Sequence, residues 1–201
     1  GRTFILVDGA KVNDLSQIIY RELETPHCDA LYRETELADL LEISPWLVET
    51  GIDSSLALRC FEEWKSQGVA IAMQSDCNFE GVMDHLRGLL MARLVTGDDV
   101  VFRFYDPEIA RHLLKLDSSG EDVRRLMGPC SLFAIQDRRT GEWEFFHNDQ
   151  PNSEQQAEMF SIREEHQVAM ERAAEETALR KLELHVANYF PHLLHKTDTD
   201  G

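Results

Sequence analysis

Short apolar runs alternate with stretches whose apolar positions recur every three or four residues. "TFILVDG" is an unbroken run closed by Asp8-Gly9, the pattern of a buried strand. Asn13 or Asp14 can then cap a helix with Leu15, Ile18, Ile19 and Leu23 on one face, ended by Thr25-Pro26. "DALYRETELADLLEI" fits neither period, and "SPWLVET" reads as a short extended piece. Asp53 or Ser54 starts a second helix with Leu56, Leu58, Cys60, Phe61 and Trp64 as its apolar residues, and Gly68 stands at its end. "VAIAMQS" is a strand apolar on both faces, as expected where both sides of a sheet are covered.

The helical period returns in "FEGVMDHLRGLLMARLV" through Val82, Leu86, Leu89 and Leu90, with Arg93 following at the same spacing. "VVFRFYD" predicts a strand with Val100, Phe102 and Phe104 on one face and Val101, Arg103 and Tyr105 on the other. "PEIARHLLKL" and "SSGEDVRRLMG" predict helices, and "CSLFAIQD" and "GEWEFFH" predict two strands around a hairpin-like "RRTG". The alternation argues for an α/β fold, a mixed sheet flanked by helices in an N-terminal lobe over residues 1–147. The polar stretch 148–160 reads as a linker, and 161–201 as a smaller C-terminal helical lobe. Ser161 and Glu164 have the spacing of a capping box for a helix running to about Tyr189, with Pro191 at its exit. The second half of that helix carries an apolar stripe, Leu179, Leu182, Val186, Tyr189 and Phe190, a pattern expected to pack on its own domain.

Composition narrows the function. Hydrophobic residues make up 43% of the 201, enough for a sizeable core. The net charge of -17 repels phosphate backbones and anionic bilayers, which argues against nucleic-acid and membrane partners and favours a basic protein surface. The four cysteines form no Cys-x-x-Cys pair and read as small buried hydrophobes. "GRTFILVDG" lacks the long apolar region of a secretory signal, so a reduced cytoplasmic location is expected.

No catalytic constellation emerges. There is no Gly-x-Ser-x-Gly elbow, phosphate loop or dinucleotide fingerprint, and no cofactor is expected. His192-x-x-His195 is the nearest approach to a metal spacing, but no Cys or carboxylate stands at a matching offset, so no metal is expected. Asp106-Pro107 has a local explanation. Asp is a strong N-cap, Pro suits the first helical position, and Glu108 meets the positive end of the helix dipole.

The order of motifs resembles a known family. "FILVDGA", "SPWLVE", "WKSQGVAIAMQS", "HLRGLL", "VVFRFYDPEIARHLL", "LMGPCSLF" and a closing "YFP" are similar to the adaptor or chaperone family that loads toxic effectors onto the bacterial type VI secretion spike. This is the Tap/Tec family, long filed as a domain of unknown function. The resemblance implies a non-enzymatic protein of the Gram-negative cytoplasm, with two partners: a cognate effector and the C-terminal region of the spike protein VgrG. It implies that Trp46, Arg87, Phe102, Arg103, Phe104, Tyr105, Asp106 and Pro107 are family-motif residues serving the fold. Leu182, Val186, Tyr189 and Phe190 are the residues expected to contact an apolar effector segment. Two rivals stand beside this reading: an immunity-type protein that neutralises a toxin, and a hydrolase using Asp106 with His112 or His85.

Overall fold

The structure, a computed structural model, describes residues 1–64, 67–116, 120–152 and 158–189. The first apolar run is β1 (Arg2–Val7). Its alternate side chains enter different cores, Phe4 and Leu6 on one side and Ile5 and Val7 on the other. That is why the run shows no polar face. Each such fully buried side chain contributes about 1.5–3 kcal/mol, so β1 anchors both layers.

β1 lies between β3 (Trp46–Thr50) and β4 (Ala70–Ser75). β2 (His27–Ala30) pairs outside β3, and β7 (Cys130–Gln136) and β8 (Trp143–His147) follow β4 on the other side. Every pairing in this six-stranded sheet is antiparallel. One face is covered by α1 (Leu15–Glu22) and α2 (Ser55–Glu62) through Leu15, Ile19, Leu56 and Cys60. Against the other lie α3 (Phe79–Gly88), α4 (Pro107–Leu116) and α5 (Glu121–Met127). A second sheet places β5 (Met91–Leu94) between β6 (Asp99–Val101) and β9 (Phe160–Ile162). The parallel pairing is β5 with β9. The long α6 (Glu164–Tyr189) packs along α4. The α/β class, with sheets flanked by helices and a C-terminal helical segment, is as the alternation predicts. No helix among the described residues is long and apolar enough to cross a membrane.

Local chemistry explains several boundaries. The Ser54 side chain accepts from the Ala57 amide and caps α2. Asp14 precedes α1 but does not cap it through its side chain; it sits in the left-handed region at φ 53°. Gly9 lets the chain pass close to the stretch before β3, since a Cβ there would lie 2.0 Å from the Ser44 carbonyl oxygen. The ambiguous stretch resolves into β2, a loop and a 3-10 turn at Ala38–Ile43.

Three expectations are corrected. The helix predicted through Arg93 ends at Gly88, and residues 91–94 are strand β5. Its backbone groups are taken by β6 and β9, the latter remote in sequence. The strand predicted from Val100 to Asp106 stops at Val101. Phe102 donates its amide to the Leu90 carbonyl at 2.8 Å, and the Asp106 amide then closes a turn on Arg103 at 3.0 Å. The turn sends the neighbours Phe104 and Tyr105 into the same core, whereas strand alternation would place them on opposite faces. Finally, Ser161 does not cap the last helix; it lies in β9, opposite Arg93. The cap comes from His166, whose Nδ1 accepts from the Arg163 amide at 3.1 Å.

Candidate functional site

The motif residues converge where β1, α4 and the preceding turn meet. Asp8, at the end of β1, is 0% exposed. Its Oδ1 accepts from the Ala10 amide at 3.1 Å, and its Oδ2 accepts from Arg103 Nη2 at 2.9 Å. Lys11 Nζ lies 3.8 Å from the same oxygen, 2.9 Å from Asp106 Oδ2, and donates to the Gly68 carbonyl at 3.0 Å. Asp106 Oδ1 accepts from the Glu108 amide at 3.0 Å and so caps α4, with Pro107 in the first helical position. Two carboxylates thus share two cations. Burial still pushes the Asp8 carboxyl above the usual range, against the pull of Lys11 and Arg103.

The aromatic motif residues complete this joint. Phe102 and Phe104 are core residues, and Phe102 stacks on Phe160 of β9 with centroids 5.1 Å apart. The Tyr105 hydroxyl lies 2.5 Å from that of Tyr32, and burial first, then that contact, raises its pKa above the ordinary phenol value. Arg103 stands 5.7 Å from the Tyr105 ring centre. Arg87 donates to the Leu31 and Ala30 carbonyls at 3.2 and 3.3 Å and pairs with Asp29 at 3.1 Å, bracing the end of β2. Trp46 is half-buried on β3 against the α1–α2 core. The two histidines considered with Asp106 are engaged elsewhere. His85 Nε2 bonds the Leu126 carbonyl at 3.1 Å, and His112 lies 3.2 Å from Glu176.

A second charge cluster, which the sequence pattern did not reveal, ties α6 to the sheet. Arg111 of α4 is buried and pairs with Glu108 at 2.9 Å, Asp137 at 3.3 Å and Glu176 of α6 at 2.8 Å. A third joins Asp122 of α5 to Arg163 and to His166, whose Nε2 lies 2.9 Å from Asp122 Oδ2. Since His166 Nδ1 accepts from an amide, Nε2 carries the hydrogen and donates. Glu108, His112 and Glu176, like Asp122, Glu165 and His166, place possible metal-ligand atoms together. In each group a guanidinium, from Arg111 or Arg163, already bonds the carboxylates. The spacing of Glu108 and Arg111, three apart on one helix, was the one sequence signal for these clusters.

The helix stripe departs from expectation. Ala169 and Ala173 are buried, their small side chains facing the domain. Leu179 and Leu182 are each 59% exposed and Tyr189 is 69% exposed, so this part of the stripe does not pack on its own domain. Val186 lies on the same helix, and Phe190, Pro191 and the His192–His195 pair lie outside the described residues. Arg111 meets Glu176, and Glu108 lies at the level of Leu179 to Glu183, so α6 runs antiparallel to α4 and its last turns pass the α4 N-terminus at Pro107.

A family model described as "Domain of unknown function (DUF4123)" matches residues 3–124, from β1 into α5. No curated protein matches the chain, and no solved structure does.

Proposed function

Because the chain belongs to the DUF4123 family, we propose that it acts as a non-enzymatic adaptor or chaperone of type VI secretion. In this reading it binds a cognate toxic effector in the cytoplasm and loads it onto the C-terminal region of the VgrG spike protein. The observation that carries the reading is the exposed stripe of α6. Leu179, Leu182 and Tyr189 present apolar surface in a chain of net charge -17, where solubility alone would favour polar residues. An apolar effector segment laid on this face would be covered until the spike is available. The acidic surface would draw in basic patches of a partner and speed encounter. The motif joint supports the same division of labour. Its charged groups are engaged with one another, which leaves them to hold the shape of the lobe.

The test is capture of the tagged chain from cells that express a type VI system, followed by mass spectrometry. Recovery of a spike protein together with a toxin is the expected result. Recovery of neither, from cells shown to contain both, overturns the proposal. Toxin activity measured in the isolated complex separates delivery from immunity: an active bound toxin fits loading, and a blocked one fits neutralisation.

A further inference from the structure

We infer that the groove between the loop after β1 and the 3-10 turn before β3 is a docking site for a partner polypeptide, taking an apolar side chain flanked by lysine or arginine. The groove holds about 700 Å³. That lies within the roughly 300–1,000 Å³ of ligand clefts. Residues 9–16 form one wall and 41–46 the other, and no residue of α6 lines it. The inference is therefore separate from the exposed stripe and does not depend on the delivery role.

The walls are fixed before any ligand arrives. Ser44 is fully buried; its Oγ accepts from the Tyr32 amide at 3.0 Å and donates to the Pro45 carbonyl at 2.9 Å. Gly9 passes against the Ser44 carbonyl, and the Lys11 amide closes a turn on the Asp8 carbonyl at 3.1 Å. A preformed site loses little binding free energy to ordering. Val12, Leu15, Leu41, Ile43 and Trp46 give the groove an apolar lining. The 3-10 turn, ADLLEI, buries none of its six residues, and Leu40 and Ile43 are each 47% exposed. An apolar turn left open beside an apolar cleft is a surface that a partner's hydrophobic anchor would cover.

The rim selects the flanks of that anchor. Asp14 stands on one wall and Glu42 on the other, both exposed. Neither forms an ion pair among the described residues, and the Asp14 side chain does not cap α1. Elsewhere carboxylates meet arginines, as Glu49 meets Arg2, Asp29 meets Arg33 and Asp99 meets Arg93. Here no lysine or arginine occurs between Arg33 and Arg59. Lys11, the cation of the opposite wall, is engaged by Asp8 and Asp106. The free charges at the groove are therefore negative on both sides. In an extended segment the neighbours of the side chain that enters the cleft point away from it, and the long stems of lysine and arginine can turn back to the two rims. A neutral apolar molecule would leave both carboxylates unpaired, and an acidic segment would be repelled by them.

The experiment follows backbone amide resonances of the full isotope-labelled chain at low salt. The probe is a pool of N-acetylated, C-amidated heptapeptides. Each has leucine, isoleucine, phenylalanine or tryptophan at its centre, lysine or arginine on either side of it, and glycine or serine elsewhere. This pool is expected to shift Val12, Asn13, Glu42 and Ile43. A pool with glutamate in place of the basic residues, and one with serine at the centre, are each expected to act at least about tenfold more weakly. Ile43→Ser and Glu42→Lys change exposed side chains, so each should keep the melting transition and weaken the response several-fold. If Glu42→Lys alters the fold, Glu42→Gln serves, with a smaller loss expected. No shift of these residues with the basic pool, or equal shifts with either control pool, overturns the proposal. So does a response in the folded variants as strong as in the native chain. Resonances of the same residues that move with the concentration of the free chain also overturn it, because the occupant would then be a second copy.

Discussion

Arg103 Nη2 lies 2.9 Å from Asp8 Oδ2, across 95 positions of sequence. The contact joins the end of the first strand to the turn that launches α4. Asp8 is fully buried and the Arg103 side chain is 45% exposed, so solvent screens one partner only. Removing one partner of a fully buried pair costs about 3–5 kcal/mol. With screening and with Lys11 remaining nearby, Arg103→Met is expected to lower stability by about 1–2 kcal/mol in urea unfolding. Partner capture should be unchanged. An unaltered unfolding midpoint would show that the pair contributes nothing to the joint.

Asp106 gives a sharper comparison. As N-cap of α4 it is expected to lose about 1 kcal/mol, and up to about 2, on change to Ala. Asp106→Asn keeps a capping oxygen and should lose less, although the ion pair with Lys11 goes in both. A hydrolytic activity abolished in Asp106→Asn at unchanged stability would instead revive the enzyme reading.

His85 sets a pH dependence. Burial holds its pKa below 6.5, against the hydrogen bond to the Leu126 carbonyl. The unfolded chain then binds the proton more readily than the folded one. Stability is fully present above the unfolded value of 6.5 and falls as pH drops below it, toward the depressed folded value. Melting temperatures between pH 7 and pH 5 should therefore fall more steeply for the native chain than for His85→Gln. Parallel slopes would remove His85 from the account.

Gly128 tests the same corner by sterics. Its φ is +52°, and a Cβ would lie 2.2–2.5 Å from three atoms of the His85 ring. Gly128→Ala is expected to cost about 2–4 kcal/mol, from overpacking together with a backbone conformation that favours glycine. Adding His85→Ala should restore the steric part and leave the backbone part. No rescue in the double variant would locate the damage elsewhere.

The exposed stripe makes the functional prediction. Leu182→Glu with Tyr189→Ser should change stability by no more than about 0.5 kcal/mol, since both side chains face solvent. Effector capture should fall at least about tenfold if these residues anchor an apolar segment. Intact capture in a folded double variant would exclude this face as the contact.

What the sequence could show follows from the range of the forces involved. β1, β4, α2 and α4 were legible because their apolar periods, their caps at Ser54 and Asp106, and the Pro107 start act within a few residues. The Asp106–Pro107–Glu108 junction was readable for the same reason. β5 was not, because the apolar spacing of α3 runs on past Gly88 while β6 and β9 claim the backbone from elsewhere. Ser161 was misread because β9 needs β5 to exist at all.

The sequence by itself determined the α/β class, the buried first strand and the acidic character, all of which depend on local pattern or on composition. Only the tertiary structure decided which charges meet and which apolar residues stay uncovered. Arg111 finds Glu108, Asp137 and Glu176 because α4, the end of β7 and α6 meet around it, and Leu182 and Tyr189 remain in solvent because α6 outruns α4. Periodicity says that a helix has an apolar face. Whether that face is filled depends on where every other element ends.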